Sequence, residues 1–287
     1  MLTLLFDGIA YGMLLFVLAV GLAVTLGLMN FINLAHGAFA MAGGYITVLL
    51  MNRLGVPFLA CLPLAFLGTA LLGAVLEPLL YRRMYGKPHL DQVLFSIGLV
   101  FMAVAAVDYL LGSMQQNIHL PPWLEGRFDI SWIGIGKYRL FIIVVCAALT
   151  VGLQWMLSNT RFGSQLRASV DDPRVAGGLG LNVNRIFLLT FAVGSGLAGL
   201  GGALGTEILG LDPGFPLKFM IYFLIVVSVG GTTTLTGPLL AALLLGIADV
   251  AGKYYVPKLG AFIVYTLMIV ILLVRPQGLF ARTGGGK

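Results

Sequence analysis

Three polar side chains interrupt an apolar run near the N-terminus. Asn30, Asn33 and His36 stand at three-residue spacing in LMNFINLAHGAFAMAGG, so on a continuous helix they would share one face. Polar groups at membrane depth are costly unless they face protein or water. The cluster is therefore a candidate lining for a solute pathway. In the alternative interpretation, these side chains cap two broken helices by hydrogen bonding.

A second polar break runs from Gly230 to Pro238 and contains Thr232, Thr233 and Thr234. Threonines followed by Gly-Pro indicate the end of one short helix and the capped start of another, with Pro238 tolerated in the first turn. In transporters, half-helices of this kind meet where the substrate or a gate lies. Alternatively, the threonines only satisfy free backbone amides, which would be a purely structural arrangement.

The longest polar stretch is Ser158–Arg185, which carries four arginines and two aspartates between two long apolar runs. This composition predicts a loop at the membrane surface. Its inner part, Gln165–Leu181, is rich in helix formers and predicts one or two short surface helices, with Asp171, Asp172 and Pro173 resembling a cap and first turn. The stretch is either a solvated loop that follows the positive-inside rule or a docking element for a soluble partner.

Four acidic residues lie near the ends of apolar segments. A charge at the centre of a bilayer costs about 2.5–3.5 kcal/mol even on the lenient insertion scale. We therefore expect these side chains near an interface or in a cavity lined by protein, and their spacing does not suggest a proton relay. The four residues are Glu77, Asp108, Glu207 and Asp249.

Patterns for enzymatic chemistry are weak. The VGSG segment around Ser195 is similar to the serine motif of intramembrane proteases, but the histidines, His36, His89 and His119, have no triad context. His36 has no neighbouring carboxylate or cysteine, so no metal site is predicted. The sequence also lacks a G-x-x-x-x-G-K-[ST] phosphate loop. We therefore expect a chain that is not an enzyme and does not itself hydrolyse ATP.

Composition fixes the class of protein that must position these residues. Hydrophobic residues make up 59% of the 287 residues and charged residues only 10%, against roughly 25% charged in soluble domains. Long apolar runs without short alternating strands predict membrane-spanning helices. The net charge of +6 is spread over loops, where it orients the chain in the bilayer, and suggests no nucleic-acid partner.

The hydropathy pattern predicts an all-α polytopic membrane protein with eight to nine transmembrane or half-membrane helices, in a single domain of residues 1–287. Irregular pieces are expected near the two polar breaks. The candidate segments are Leu5–Leu28, Gly37–Met51, Pro57–Leu80, Val93–Gly112, Leu140–Leu157, Ile186–Leu209, Phe219–Gly230, Gly237–Ala251 and Leu259–Val274.

Lysine and arginine predict the orientation. Ten of the seventeen basic residues fall in three stretches: Tyr81–Gln92, Ser158–Arg185 and the tail from Arg275 to Lys287. Placing all three on one side puts these loops and the C-terminus in the cytoplasm and the N-terminus outside. The opposite face then carries one sizeable loop, Ser113–Tyr138, as a lid or collar.

Small residues recur within the segment that starts at Ile186. Gly194, Ala198 and Gly202 are spaced four residues apart, which places them on one helix face. This spacing predicts close approach of a neighbouring backbone. In the alternative, functional interpretation, this face forms part of a thin-walled translocation path.

Several short motifs, in this order and spacing, carry a family resemblance that extends over nearly the whole chain. They resemble motifs in the permeases of branched-chain amino acid ABC importers, and the NLAHG stretch resembles the shorter of the two paired permeases. The motifs are Asn33-Leu34-Ala35-His36-Gly37; Thr160-Arg161-Phe162-Gly163 with Arg167-Ala168, Asp172, Ala176 and Gly180-Leu181-Asn182; Gly230-Gly231 with Leu235-Thr236-Gly237-Pro238; and Arg275-Pro276-Gln277-Gly278-Leu279-Phe280.

The resemblance implies an ABC importer permease in the bacterial inner membrane. Its implied partners are the lipid bilayer, a second related permease, two cytoplasmic ATP-binding subunits and a periplasmic substrate-binding protein. ATP would bind to the partner subunits, and this chain would bind no cofactor. Transport would proceed by alternating access. Residues 158–185 would be the coupling loop that meets the ATPase, through Arg161, Gly163, Arg167, Ala168, Asp172, Ala176 and Gly180.

The implied substrates are leucine, isoleucine and valine or related amino acids. The sequence departs from the family pattern at Thr232, Thr233 and Thr234, where a Gly-Ser run is usual, and this departure bears on substrate choice. Urea and short amides are the alternative substrates within the same transporter class. A stand-alone secondary transporter or channel for a small polar solute is the alternative outside it, because broken helices would serve it equally well.

Overall fold

The computed structural model describes residues 1–29, 31–130, 133–231 and 234–275. Over these residues the chain forms eleven α-helices and one β-hairpin. The helices are α1 (Leu2–Met29), α2 (His36–Leu54), α3 (Phe58–Leu79), α4 (His89–Leu111), α5 (Lys137–Asn159), α6 (Arg161–Asp171), α7 (Pro173–Gly178), α8 (Val183–Leu209), α9 (Phe215–Gly230), α10 (Thr236–Tyr255) and α11 (Gly260–Val274), and the strands are β1 (Arg127–Ile130) and β2 (Ile133–Gly136).

Each of the nine apolar segments predicted from the sequence is a helix. Within the described ranges, six helices are long and apolar enough to cross a membrane: α1, α3, α4, α5, α8 and α10. Helices α9 and α11 are apolar but shorter. The all-α polytopic fold is thus confirmed. Helix α1 alone has 28 residues and is about 42 Å long, which exceeds the hydrocarbon thickness of a bilayer.

Burial divides the helices into a centre and a periphery. Most of α1 and α8 is buried by other helices, whereas α3, α4 and α5 leave most of their apolar surface uncovered. Their exposed side chains include Leu67 and Leu71 on α3 and Met102 on α4. In a soluble protein such a surface would indicate an interface. In a chain with these spans, it is the surface expected to face lipid.

Contacts at the helix termini define two ends of the bundle. At one end, Asp7 of α1 forms an ion pair with Arg139 of α5, and the Tyr138 hydroxyl donates to the Leu204 carbonyl of α8 at 2.7 Å. Because α5 runs from this end to Asn159, the segment that contains α6 and α7 lies at the other end. The hairpin pairs Arg127 with Gly136 in antiparallel register and belongs to the predicted collar loop.

Glycines let α8 pack closely against three helices. Toward α1, a Cβ atom on Gly201 would lie 2.9 Å from the Leu18 side chain. Toward α2, a Cβ atom on Gly202 would overlap the Ala40 carbonyl oxygen. Toward α3, Gly196 faces a phenyl ring. Helix α8 is therefore the hub of the bundle, because side chains at these positions would separate it from its neighbours.

The small-residue face predicted on α8 behaves as its spacing indicates. Gly194, Ala198 and Gly202 are all buried, and a Cβ atom on Gly194 would lie 3.5 Å from the Cα atom of Gly21 on α1. Close helix packing is therefore confirmed as a function of this face.

We expect Gly202→Ala to lower the free energy of unfolding by about 1–3 kcal/mol, because the added methyl group meets a backbone carbonyl that cannot rotate away. The matched control is Gly152→Ala on α5, where a Cβ atom would have nothing within 4 Å. Thermal unfolding of both variants in the same detergent provides the measurement. Equal midpoints for the two variants would contradict the hub assignment.

Candidate functional site

The first polar break separates α1 from α2. Helix α1 ends at Met29 and α2 begins at His36, so the irregular piece expected near the first polar break is present. Asn33 and His36 therefore do not lie together on one continuous helix. Asn30 lies outside the described residues. Asn33 is buried, and its carbonyl accepts a hydrogen bond from the His36 amide at 3.2 Å.

His36 anchors α2 to α1. Its side chain is buried, and Nε2 donates to the Leu18 carbonyl at 2.9 Å. The imidazole fits because Gly21 has no side chain; a Cβ atom there would lie 2.5 Å from the His36 ring. Asn33 Oδ1, in contrast, is buried without a hydrogen-bond partner among the described residues. The geometry thus gives His36 a packing role, whereas the Oδ1 atom of Asn33 accepts no hydrogen bond from the described residues.

The linker between α3 and α4 holds this break in place. The Ile32 amide donates to Gln92 Oε1 at 3.0 Å, and Gln92 Nε2 donates to the Lys87 carbonyl at 3.0 Å. Phe31 packs edge-on against Tyr81 and Tyr85, with ring centroids 5.6 and 5.5 Å apart. The role of Gln92 was not predicted, because the amide and its partner are 60 residues apart in the chain.

An ion pair connects the end of α3 to the same linker. Arg82 donates to both carboxylate oxygens of Glu77, at 2.7 and 3.2 Å, and the Glu77 side chain is fully buried. The hydrogen bond to Glu77 raises the pKa of Arg82 above its usual value. Burial raises the pKa of the Tyr85 phenol, with a further contribution from the Glu77 charge. Glu77 thus lies in a site lined by protein, as expected for an acid at a segment end.

The second break separates α9, which ends at Gly230, from α10, which begins at Thr236. The predicted interruption is therefore present. Its predicted threonine cap is wrong for the part that the structure describes, because Leu235 occupies the N-cap position and no side chain caps it. The Thr236 hydroxyl instead lies 3.2 Å from the Thr234 hydroxyl. Thr232 and Thr233 lie outside the described residues, as does the terminal motif after Arg275.

Side-chain caps set the geometry of residues 158–185. Thr160 Oγ1 accepts from the Gly163 amide at 3.3 Å and begins α6. Asp172 Oδ1 accepts from the amides of Arg174 and Val175, at 2.9 and 3.0 Å, and begins α7 directly before Pro173. The two short surface helices and the Asp-Pro start predicted from the sequence are therefore confirmed.

Further caps complete the segment. Gly180 follows α7 with φ of 86°, a left-handed conformation that glycine adopts without strain. Asn182 Oδ1 then accepts from the Arg185 amide at 3.0 Å and begins α8. Defined local interactions therefore connect α7 to α8.

Helix α6 is docked against the end of α5. Gly163 and Leu166 are buried, and a Cβ atom on Gly163 would overlap the Leu157 carbonyl oxygen of α5. That same carbonyl accepts a hydrogen bond from Arg167 Nη1. One backbone carbonyl thus fixes both the distance and the rotation of α6 relative to α5.

The remaining predicted residues of this segment divide between two faces. Ala176 is buried and anchors α7, whereas Arg161, Ala168, Asp172 and Gly180 are exposed. Two apolar side chains next to them also point outward: Val175 is 58% exposed and Leu179 is 78% exposed. The outer face of α7 and the residue that follows it therefore combine apolar and charged groups that the described part of the chain leaves uncovered.

A cavity of about 260 Å³ joins this segment to the second break. Its walls come from α1, the end of α5, α6 and the start of α10. Neither Asn33 nor His36 lines it. The lining residues are Ala23, Val24, Gln154, Leu157, Ser158, Gly163, Leu166, Arg167, Thr234, Leu235 and Thr236. Two regions identified separately in the sequence, residues 158–185 and the threonine break, therefore share one cavity.

Ser195 does not have the surroundings of a catalytic serine. It is buried in α8, and its hydroxyl donates to the Phe191 carbonyl one turn earlier at 2.9 Å. A Cβ atom on Gly73 of α3 would lie 2.6 Å from that hydroxyl oxygen, so the serine fills the helix interface. Back-bonding of this kind satisfies a helical serine locally.

We expect Gly163→Ala to displace α6 from α5, because the new methyl group would meet the Leu157 carbonyl. A local cost of about 1 kcal/mol or more would raise opening of this segment about fivefold. Limited trypsin digestion at Arg167 measures the opening. Gly177→Ala on α7 is the control, since a Cβ atom there has nothing within 4 Å. Equal cleavage rates would show that α6 is not held by this contact.

Comparison with known proteins addresses the class of the chain. The family model described as "Branched-chain amino acid transport system / permease component" matches residues 4–272. The high-affinity branched-chain amino acid transport system permease protein BraD of Pseudomonas aeruginosa is 28% identical over 293 residues, covering 97% of this chain and 95% of that protein. The probable permease protein LivH of Methanocaldococcus jannaschii is 28% identical, covering 94% of this chain and 90% of that protein.

A second type of permease in these systems is also similar. The permease protein LivM of Salmonella typhimurium is 28% identical over 300 residues, covering 94% of this chain and 68% of that protein. No solved structure matches the chain. The match to the family model covers most of the sequence and all of the helices that line the cavity. The chain therefore belongs to the family of permease components of branched-chain amino acid transport systems.

Proposed function

We propose that this chain is the membrane-spanning permease subunit of an ATP-driven importer, and that it moves branched-chain or related amino acids across the bacterial inner membrane by alternating access. The observation that carries the proposal is the cavity shared by α6 and the second helix break. Family membership supports the transport role. The chain would be a transport subunit without enzymatic activity, and ATP would bind only to partner subunits.

Residues 158–185 would couple the ATPase to the permease. Val175 and Leu179 offer an apolar contact on the outer face of α7, and Arg174 adds charge beside them. A displacement of α7 would be transmitted to α5 through the contacts of Gly163 and Arg167 with Leu157. It would be transmitted to α10 through the residues that line the shared cavity. Alternating access needs such a bistable element, because ATP binding must favour one state of the spans over the other.

The partners in this proposal are a second related permease, two cytoplasmic ATP-binding subunits and a periplasmic substrate-binding protein. Similarity to LivM as well as to BraD and LivH supports the second permease. Residues 81–92, residues 158–185 and the C-terminus would face the cytoplasm, and the N-terminus would face the periplasm. The separation of the Asp7–Arg139 pair from α6 by the length of α5 supports this orientation.

We expect Arg167→Glu, and separately an insertion after Gly178, to uncouple ATP hydrolysis from uptake. Uptake into proteoliposomes should fall about tenfold while phosphate release continues, since a coupling free energy of roughly 1–3 kcal/mol corresponds to changes of this size. Arg53→Glu on α2 is the control, because Arg53 is exposed and lies outside residues 158–185. Unchanged uptake in both test variants would remove this segment from the mechanism.

Purification from native membranes in gentle detergent, followed by mass spectrometry, tests the transporter class. We expect two ATP-binding subunits and a second permease to accompany the chain. A solitary chain in several detergents would instead favour a stand-alone secondary transporter or channel.

Substrate choice is tested by uptake in a strain that lacks the gene for this chain. We expect reduced import of leucine, isoleucine and valine. Intact import of these amino acids together with lost import of urea or short amides would assign the chain to the alternative substrates.

A further inference from the structure

A second cavity, of about 410 Å³, lies where α1, α9 and α10 meet. Ile208 and Leu209, the last residues of α8, line it. It therefore lies toward the end of the bundle that carries the Asp7–Arg139 pair, opposite to residues 158–185. Its polar lining consists of Tyr11, Lys218, Tyr222, Asp249 and Lys253.

Asp249 is the most deeply buried charge in this cavity. The residue is 1% exposed, and Lys253 Nζ lies 2.6 Å from its Oδ2 atom. The Tyr222 hydroxyl donates to Oδ1 at 3.4 Å. Removing an ion pair from water often costs more than the attraction returns, so an apolar pair of similar size would stabilise the fold at least as well. An ionisable residue inside a membrane span is a candidate functional group for the same reason.

The cations of the cavity are not buried with their partners. The side chain of Lys253 is 56% exposed, although Asp249 is almost completely covered. Lys218 is 58% exposed and pairs with Asp212 at 3.2 Å, at the edge of the cavity. Both ammonium groups can therefore turn toward a new anion without leaving the protein surface, while the Asp249 carboxylate stays fixed.

The remaining wall is apolar. Ile208, Leu209, Phe219 and Val250 line it beside the charged groups. A small-molecule site of this kind, with a mainly apolar wall and a few convergent polar groups, fixes the orientation of a ligand through the polar groups and its shape through the wall.

We propose that this cavity binds an α-amino acid zwitterion with an aliphatic side chain. The ligand ammonium donates to Asp249, and the ligand carboxylate accepts from Lys253 and Lys218. The aliphatic side chain packs against Ile208 and Val250. This inference rests on the proposed function and assigns a substrate class to the end of the permease opposite α6.

Charge balance favours a zwitterion over the alternative solutes. The two lysines are matched by Asp249 and Asp212, so a ligand with a net charge would leave one charge of the site without an opposite partner. Urea and short amides carry no charge, so their binding would not require the charged Asp249–Lys253 pair. A zwitterion places each of its two charges next to an opposite charge of the protein and leaves the net charge of the site unchanged.

Binding of tritiated L-leucine to the purified full chain, together with the membrane partners that accompany it and without the soluble binding protein, tests the inference. Leucine should compete for the site. Leucinamide lacks the carboxylate and 4-methylpentanoate lacks the ammonium group, so each should compete at least about tenfold more weakly, because each leaves one protein charge unpaired. Urea should not compete.

Variants test which residues recognise each charge. Asp249→Asn should abolish the preference for leucine over 4-methylpentanoate, and Lys218→Gln should reduce the preference for leucine over leucinamide. Lys258→Gln is the matched control, because this exposed lysine follows α10 and does not line the cavity. If Asp249→Asn fails to assemble, the double variant Asp249→Asn/Lys253→Gln removes both charges together. It should abolish the preference over 4-methylpentanoate and reduce the preference over leucinamide, because Lys218 remains.

Equal competition by all three leucine analogues, or unchanged preferences in every variant, would overturn the inference and leave the ion pair with a purely structural role. Displacement of bound tritiated leucine by vesicles of anionic lipid but not by vesicles of neutral lipid would identify a lipid headgroup as the occupant and would overturn it as well. ATP-driven leucine uptake by the wild-type complex is measured in parallel. Absence of this uptake would contradict the proposed function. Normal uptake, together with equal binding of leucine and its analogues at this cavity, would contradict only the inference.

Discussion

Helix α8 can contact α1, α2 and α3 at the same time because glycines replace side chains on several of its faces. Where Gly202 meets Ala40 and Gly194 meets Gly21, backbone lies against backbone, and no side-chain rotation can absorb a change. This makes the centre of the bundle its least adjustable part.

The two breaks in the helices have different surroundings. The first is fixed by distant contacts: Gln92 holds the Ile32 amide, and His36 reaches the Leu18 carbonyl. The second borders a cavity that it shares with α6. In the proposed transport mechanism, the second break would therefore lie beside the segment that meets the ATPase. The cavity around Asp249 lies at the other end of the bundle.

Local sequence predicted what depends on neighbouring residues. All nine apolar segments are helices, and Asp172 caps α7 as its position before Pro173 indicates. Asn33 and His36 share no face of a continuous helix, because three-residue spacing implies a common face only if the helix continues, and the break expected there is present. The contact of Gln92 and the cavity around Asp249 could not be derived from spacing, since their partners come from segments that are distant in the chain.

The sequence by itself determined the class of the molecule and the identity of its elements. Apolar runs of sufficient length must be helical in a bilayer, because each backbone group has to be satisfied within its own segment. Only the tertiary structure decided which polar groups meet: Arg167 and the threonine break around one cavity, Asp249 and Lys218 around the other. The physical reason is that helix contacts depend on crossing positions set by small residues on several helices at once, and no single segment encodes those positions.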